Sequence, residues 1–332
     1  MKRSIFLSLV VASCLLLENR LYAQAATDPV GFNSITVGQN TTTALSLPFN
    51  KVPDFVAAAT DVDTTAKTIQ TTGAGWAANA FAPFFTNPHI VRIVSGAAIG
   101  RDFRIVSHTA DTLTLDASSN MAGMLDTDRY QIFPSETLNS LFGPTAPGLN
   151  RNANPTQADN VLVRGTASWA TNYNDPTDGW LDQSTGEPSG TVGITPDQGI
   201  LLVRRGGGDY VFTDLGAVPI TNLKTDFPQS KVTSFGNRFP VATTVNGLGL
   251  HLLAGWNKGP NPTIVDNLLV RGSSSWTTLY FDSTYDADGE WLDQSTGDPA
   301  GATSIPIGAS VLVVRRAGSD ITLDQARPYT LP

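Results

Sequence analysis

One long segment of this chain occurs twice, and that duplication limits the fold more than any other feature. Ala158-Asp-Asn-Val-Leu-Val-Arg-Gly-Thr-Ala-Ser-Trp169 returns as Val265-Asp-Asn-Leu-Leu-Val-Arg-Gly-Ser-Ser-Ser-Trp276. Trp180-Leu-Asp-Gln-Ser-Thr-Gly186 returns unchanged as Trp291-Leu-Asp-Gln-Ser-Thr-Gly297, and Ile200-Leu-Leu-Val-Arg-Arg205 as Val311-Leu-Val-Val-Arg-Arg316. The offset is 107 residues through the first tryptophan and 111 from the second, so the second copy has four extra residues between Tyr280 and Glu290. A loop absorbs such an insertion at little cost. Identical residues at matched spacing imply one local fold used twice.

The repeated unit reads as β-structure. Val161 to Arg164 is a short apolar run closed by Gly165, and Ser168 to Tyr173 and Thr277 to Phe281 carry aromatics suited to a pleated surface. Asp178-Gly179, Asp288-Gly289 and Pro196-Asp-Gln-Gly199 are turn signals, so each unit is expected to contain a hairpin. Ahead of the repeats, Ile35 to Val37, Thr43 to Leu47, Ile90 to Val94, Phe103 to Ser107 and Leu113 to Leu115 read as strands, the last two joined by an Ala110-Asp111 turn. The best helix is short, with Ser135 as N-cap, Glu136 in the first turn, Leu138 and Leu141 inward, and Gly143-Pro144 as stop. The expected architecture is all-β and sandwich- or barrel-like. It divides into an N-terminal β module over 26–134, a first repeat unit over 135–219 with the helix leading it, and a second over 220–332.

Residues 1–25 read as an export signal. Lys2 and Arg3 precede an apolar run of 13 residues, Ile5 to Leu17, which is short for a membrane span. Ala23-Gln24-Ala25 offers a cleavage site before Ala26, with a cut after Ala23 as second choice. Val11-Ala12-Ser13-Cys14 resembles a lipobox, but the leucines at 15–17 place apolar residues on the wrong side of Cys14. Cleavage before Ala26 leaves no cysteine, which excludes disulfides and thiolate metal sites. It also leaves 18 basic and 28 acidic residues, a net charge of −10 that repels nucleic acid and anionic lipid. The implied location is the periplasm, the cell surface or the exterior, with no membrane-spanning segment in the mature chain.

Two stretches carry a resemblance. Gly75-Trp76-Ala-Ala-Asn-Ala80, Arg92-Ile-Val-Ser-Gly96, Gly100-Arg-Asp-Phe103 and Thr109-Ala-Asp-Thr-Leu-Thr-Leu115 together resemble a small β module of many exported bacterial proteins. Asp28-Pro-Val-Gly-Phe32, Leu45-Ser-Leu-Pro-Phe49 and Thr137-Leu-Asn-Ser-Leu-Phe142, followed by the tryptophan and Val-Arg strands, resemble a paralogous family of uncharacterised exported β-rich proteins associated with Verrucomicrobia. The resemblance implies export and a β fold, and brings no activity or catalytic residue with it.

Candidate sites are few. Asp286, Asp288, Glu290 and Asp293 gather around a glycine turn in the second unit and are candidate calcium ligands, since calcium takes oxygen ligands from such turns. The full EF-hand pattern is absent, and turns recruit Asp and Gly for backbone reasons alone. Trp169, Trp180, Trp276 and Trp291 are expected in the core, while Tyr173 and Tyr280 are the candidate ligand contacts, with glycans or other envelope proteins as partners. One arginine of each pair, Arg204-Arg205 and Arg315-Arg316, is expected to meet Asp182 or Asp293. Catalysis finds little support. His89, His108 and His251 are isolated, and HExxH, G-x-S-x-G and phosphate-loop patterns are missing. The sequence therefore points to a structural or adhesive exported protein, then to a carbohydrate-binding or calcium-dependent module, and third to a glycosidase-like enzyme.

Overall fold

Short runs of alternating apolar and polar residues, cut by Gly, Pro and Asp turns, leave no segment long enough to bury a helical face. Strands are the result. A computed structural model describes residues 29–165, 168–272 and 274–330, so residues 1–25, with Cys14 and both positions expected for cleavage, lie outside the described residues. The protein is almost entirely β-structure, in several sheets that include a curled half-barrel. The one α-helix among the described residues, Leu138–Phe142, is capped by Thr137 rather than Ser135, because Thr137 and Ser140 form a reciprocal capping box. Ser135 instead donates to Ile194 O at 2.7 Å, and Glu136 lies in the two-residue strand Glu136–Thr137. Among the described residues no helix is long and apolar enough to cross a membrane.

The two repeats build matching five-stranded antiparallel sheets. In the first, the order is Thr42–Leu45, Ile200–Val203, Asn160–Arg164, Trp169–Asp175, Gly179–Asp182. In the second it is Val232–Gly236, Ser310–Val314, Asn267–Arg271, Trp276–Asp282, Glu290–Asp293. Registers correspond residue by residue: Arg164 faces Trp169 as Arg271 faces Trp276, and Leu45 faces Ile200 as Phe235 faces Val311. Each unit adds a two-stranded ribbon, Val30–Val37 with Tyr210–Ala217 and Leu223–Phe227 with Ile321–Gln325.

These pairings redraw the N-terminal boundary. The strands Val30–Val37 and Thr42–Leu45, grouped by sequence with the N-terminal module, pair with strands of the first repeat. The first unit thus begins near residue 30, is interrupted after Phe49, and resumes at Ser135. In the second unit the counterparts of Thr42–Leu45 and Glu136–Thr137, Val232–Gly236 and Thr243–Thr244, are joined by a short connection. The interrupting segment is an insertion with its own sheet, ordered Phe55–Ala58, Arg129–Pro134, His89–Ile93, Asp102–His108, Thr112–Leu115, Thr68–Gln70, Asp61–Asp63. A register shift between Ile105 and Ser107 bulges its middle strand, which increases local twist and helps the sheet curl. Ile69, Ile93, Ile105, Leu113 and Tyr130 fill its separate core.

The repeats meet about a pseudo-two-fold axis. Ser46 N donates to Gly308 O at 2.7 Å, and its counterpart Gly236 N donates to Asp197 O at 2.9 Å. Arg271 Nε reaches Thr42 O at 3.1 Å, and Arg164 Nε reaches Val232 O at 3.2 Å. Reciprocal contacts of this kind are what an isologous dimer makes, here within one chain. The insertion is clamped onto the second unit. Asp102 of the insertion bonds Arg92 at 2.7 Å and Arg238 of the second unit, all three buried or nearly so. Burial alone would raise the Asp102 pKa, but the two guanidiniums override it and hold the carboxyl below its ordinary value. Arg101 adds a bond to Asp226 at 2.6 Å. Gly100 makes the close approach possible, with φ +85° and space for no Cβ, which would stand 2.3 Å from Asn222 O.

Candidate functional site

The repeat tryptophans divide into two kinds. Trp180 and Trp291 are buried, each in its unit's core. Their indole N–H groups need acceptors there and find them, Gly143 O at 2.9 Å for Trp180 and His251 Nδ1 at 3.1 Å for Trp291. Trp169 and Trp276, expected to be mostly buried too, are half-buried, because they start their strands at the hairpin end, away from the core. Each lies under the guanidinium of its cross-strand neighbour, Arg164 at 5.7 Å and Arg271 at 5.6 Å.

Tyr173 and Tyr280 are not exposed contacts. Both are 8% exposed, inside the fold rather than at its surface. Tyr280 packs there with Val265 and Leu292, and burial, followed by the neighbouring Asp282, raises its phenol pKa. The acidic residues of the second unit also part company. Asp286 and Asp288 are exposed. Glu290 accepts from Trp291 N at 2.8 Å, and Asp293 accepts from Ser295 Oγ and Ser295 N at 2.7 Å each. Those Ser295 bonds hold the Asp293 carboxyl below its ordinary value. Among the described residues no three His, Cys, Asp or Glu side chains come together as a metal site.

The arginine pairs have different partners from those expected. Arg204 meets Asp159 at 2.9 Å and Arg315 meets Asp266 at 2.7 Å, with all four side chains fully buried. Asp182 and Asp293 serve their own turns instead. The aspartates are the second residues of the repeated Ala158-Asp-Asn and Val265-Asp-Asn, which the strand order places beside the arginines. The second arginine of each pair is also engaged: Arg205 reaches Asn160 Oδ1 at 2.5 Å and Arg316 reaches Asn267 Oδ1 at 3.0 Å. Arg315 further donates to Gly255 O and Ser319 O, which ties two loops to the core.

The histidines are built into local structure. His89 bonds Asp54 at 3.2 Å, and His108 Nε2 accepts from Phe81 N at 3.3 Å. His251 stacks on Phe281 with ring centroids 4.7 Å apart, and burial, aided by Lys258, lowers its pKa, in keeping with Nδ1 as an acceptor. One pair of carboxylates shares a buried place. Asp214, pushed up to about 7 by burial and then by Glu136, accepts from Phe49 N. Glu136 bonds Lys51 at 2.7 Å and Ser140 Oγ.

A cleft of about 530 Å3 opens where the insertion meets the first unit. From the insertion come Phe84, Phe85 and Arg104, whose guanidinium lies 5.2 Å from the Phe84 ring centre. Phe84 seats against Gly193, where a Cβ would stand 2.6 Å from its ring and no side chain fits. Phe85 is 67% exposed at the mouth. The first unit contributes Asn172, Ser189 and Gln198 as buried polar residues, with the carboxylates of Asp182 and Glu187 nearby. A second cleft of about 480 Å3 shares Arg104, Arg164, Gly165 and Gln198, and extends to Asp226, Lys231 and Ser234 of the second unit. Clefts between modules are common ligand sites, and these volumes suit a small ligand. Sequence reading does not single out these residues, because they come from separate stretches that only the insertion brings together. Comparison with family models, with curated proteins and with solved structures finds no match.

Proposed function

We propose that this chain is an exported, non-catalytic structural or adhesive protein of the cell envelope or extracellular space. The observation that carries this reading is the interlocking of its three parts. Two repeat units pair about a pseudo-two-fold axis, and the insertion is fastened to the second unit through the buried Arg92–Asp102–Arg238 cluster. Side chains with chemical capacity support the same reading. The three histidines, the repeated Arg–Asp pairs and the Asp214–Glu136 pair hold neighbouring segments together. The leader-like residues 1–25 supply the route out of the cytoplasm.

Fractionation of native cells tests the proposal, with immunodetection of the cytoplasmic, periplasmic, membrane and medium fractions. The protein is expected as a leader-cleaved species outside the cytoplasm, and full-length protein in the cytoplasm would overturn the reading. The second reading, a carbohydrate-binding module, is favoured by the cleft beside Phe84 and Phe85.

A further inference from the structure

The two units are copies, so each serves as a control for the other. Along the cleft most first-unit positions keep their character in the second unit: Val163 matches Val270, Arg164 matches Arg271, Asp182 matches Asp293 and Pro188 matches Pro299. Three polar positions do not, and each is apolar in the second unit. Asn172, Ser189 and Gln198 stand where the second unit has Leu279, Ala300 and Ala309. The registers make the equivalence firm: Asn172 pairs with Val161 as Leu279 pairs with Leu268, and Ser189 N bonds Trp180 O as Ala300 N bonds Trp291 O.

The scaffold therefore accepts small or apolar residues at all three places, and the first unit alone carries polar ones. Two of them hold polar atoms that are buried without a hydrogen-bond partner, Ser189 Oγ and Gln198 Oε1. Ser189 is 3% exposed and Gln198 8%. The Gln198 amide is fixed because Nε2 donates to Arg164 O, which turns Oε1 the other way. A buried acceptor without a partner costs stability, and the fold shows at Ala300 and Ala309 that it does not need one.

We propose that the cleft between the insertion and the first unit binds a short saccharide, with Gln198 and Ser189 as its buried polar contacts. The chemistry favours this class because the lining alternates between acceptors and donors. Gln198 Oε1 and the carboxylate of Glu187 call for donors, whereas the Arg104 guanidinium calls for acceptors. A sugar hydroxyl is both at once. The C–H face of a pyranose ring packs on an aromatic such as Phe85, which lies exposed at the mouth. The inference deepens the adhesive reading by naming what would be held, and it rests on that reading.

The test is an array of oligosaccharides built from glucose, galactose, mannose, N-acetylglucosamine and uronic acids, probed with the full mature chain. Calorimetry then follows with the strongest binder. The Ser189→Ala, Gln198→Ala double variant, which installs the second unit's own residues, is expected to bind at least tenfold more weakly while melting at the same or a higher temperature. Phe85→Ala is expected to weaken binding without moving the melting temperature. Absence of binding by the wild type, unchanged affinity in the double variant, or a lower melting temperature for it would each overturn the proposal. Fractionation decides the adhesive reading separately, since it does not depend on the cleft.

Discussion

Asp214 gives the fold a pH dependence that a single substitution should remove. It lies on the strand Tyr210–Ala217, where Phe212 and Asp214 point inward and their neighbours outward. Burial and then the adjacent Glu136 push its pKa from 3.8 up to about 7, against the weaker pull of Phe49 N and Lys51. The folded protein therefore keeps this proton up to about pH 7, while the unfolded chain releases it near 3.8. Between those values the folded state binds more protons, so stability falls as pH rises. The contribution is fully present below the unfolded pKa and is lost as pH passes through the folded one. At about 1.4 kcal/mol per pKa unit, a shift of this size amounts to roughly 4 kcal/mol. The second unit has Gln325 at the matching position, so an amide fits this site in the scaffold. Asp214→Asn should match the wild type most closely near pH 4, and be more stable by up to about 4 kcal/mol near pH 8. Urea unfolding across that range, read as the difference between the two proteins, measures the effect. Parallel pH curves, or a variant that is weaker at every pH, would refute the reasoning.

Four further outcomes follow from the packing. Trp291→Ala should cost about 3–5 kcal/mol in chemical unfolding, whereas Trp276→Ala, half-buried under Arg271, should cost clearly less. Asp266→Ala should cost about 3–5 kcal/mol, because it leaves the Arg315 guanidinium buried and without its counter-ion. An excised segment spanning 54–134, which contains the insertion's sheet and core, should unfold cooperatively when heated, and a broad non-cooperative transition would contradict an independent core. Calcium should leave the melting temperature of the wild type and of Asp286→Ala, Asp288→Ala alike, since Glu290 and Asp293 are engaged locally, and a rise confined to the wild type would place calcium on that loop.

The sequence by itself determined the elements. Apolar runs at 161–164 and 268–271, the Asp178-Gly179 and Asp288-Gly289 turns, and the Ala110-Asp111 turn all specify local backbone, and the strands and hairpins form there. The same holds for the repeated order of strands from residue 158 onward, because near-identical segments face near-identical local choices. Tertiary structure decided which edges meet. The strand Thr42–Leu45 closes a sheet whose other members lie beyond the whole insertion, and its counterpart Val232–Gly236 matches it weakly. Across Gln39 to Phe49 and Gln229 to Phe239 the only identities are Gln39 with Gln229, Thr43 with Thr233, and Phe49 with Phe239. Edge strands are chosen by backbone hydrogen bonds and by burial of alternate side chains, and many sequences satisfy both. The partners of Arg204 and Arg315, the burial of Tyr173 and Tyr280, and the cleft at Ser189 and Gln198 were likewise settled by packing. Each depends on which surface a distant segment presses against, and side-chain type along the chain does not encode that.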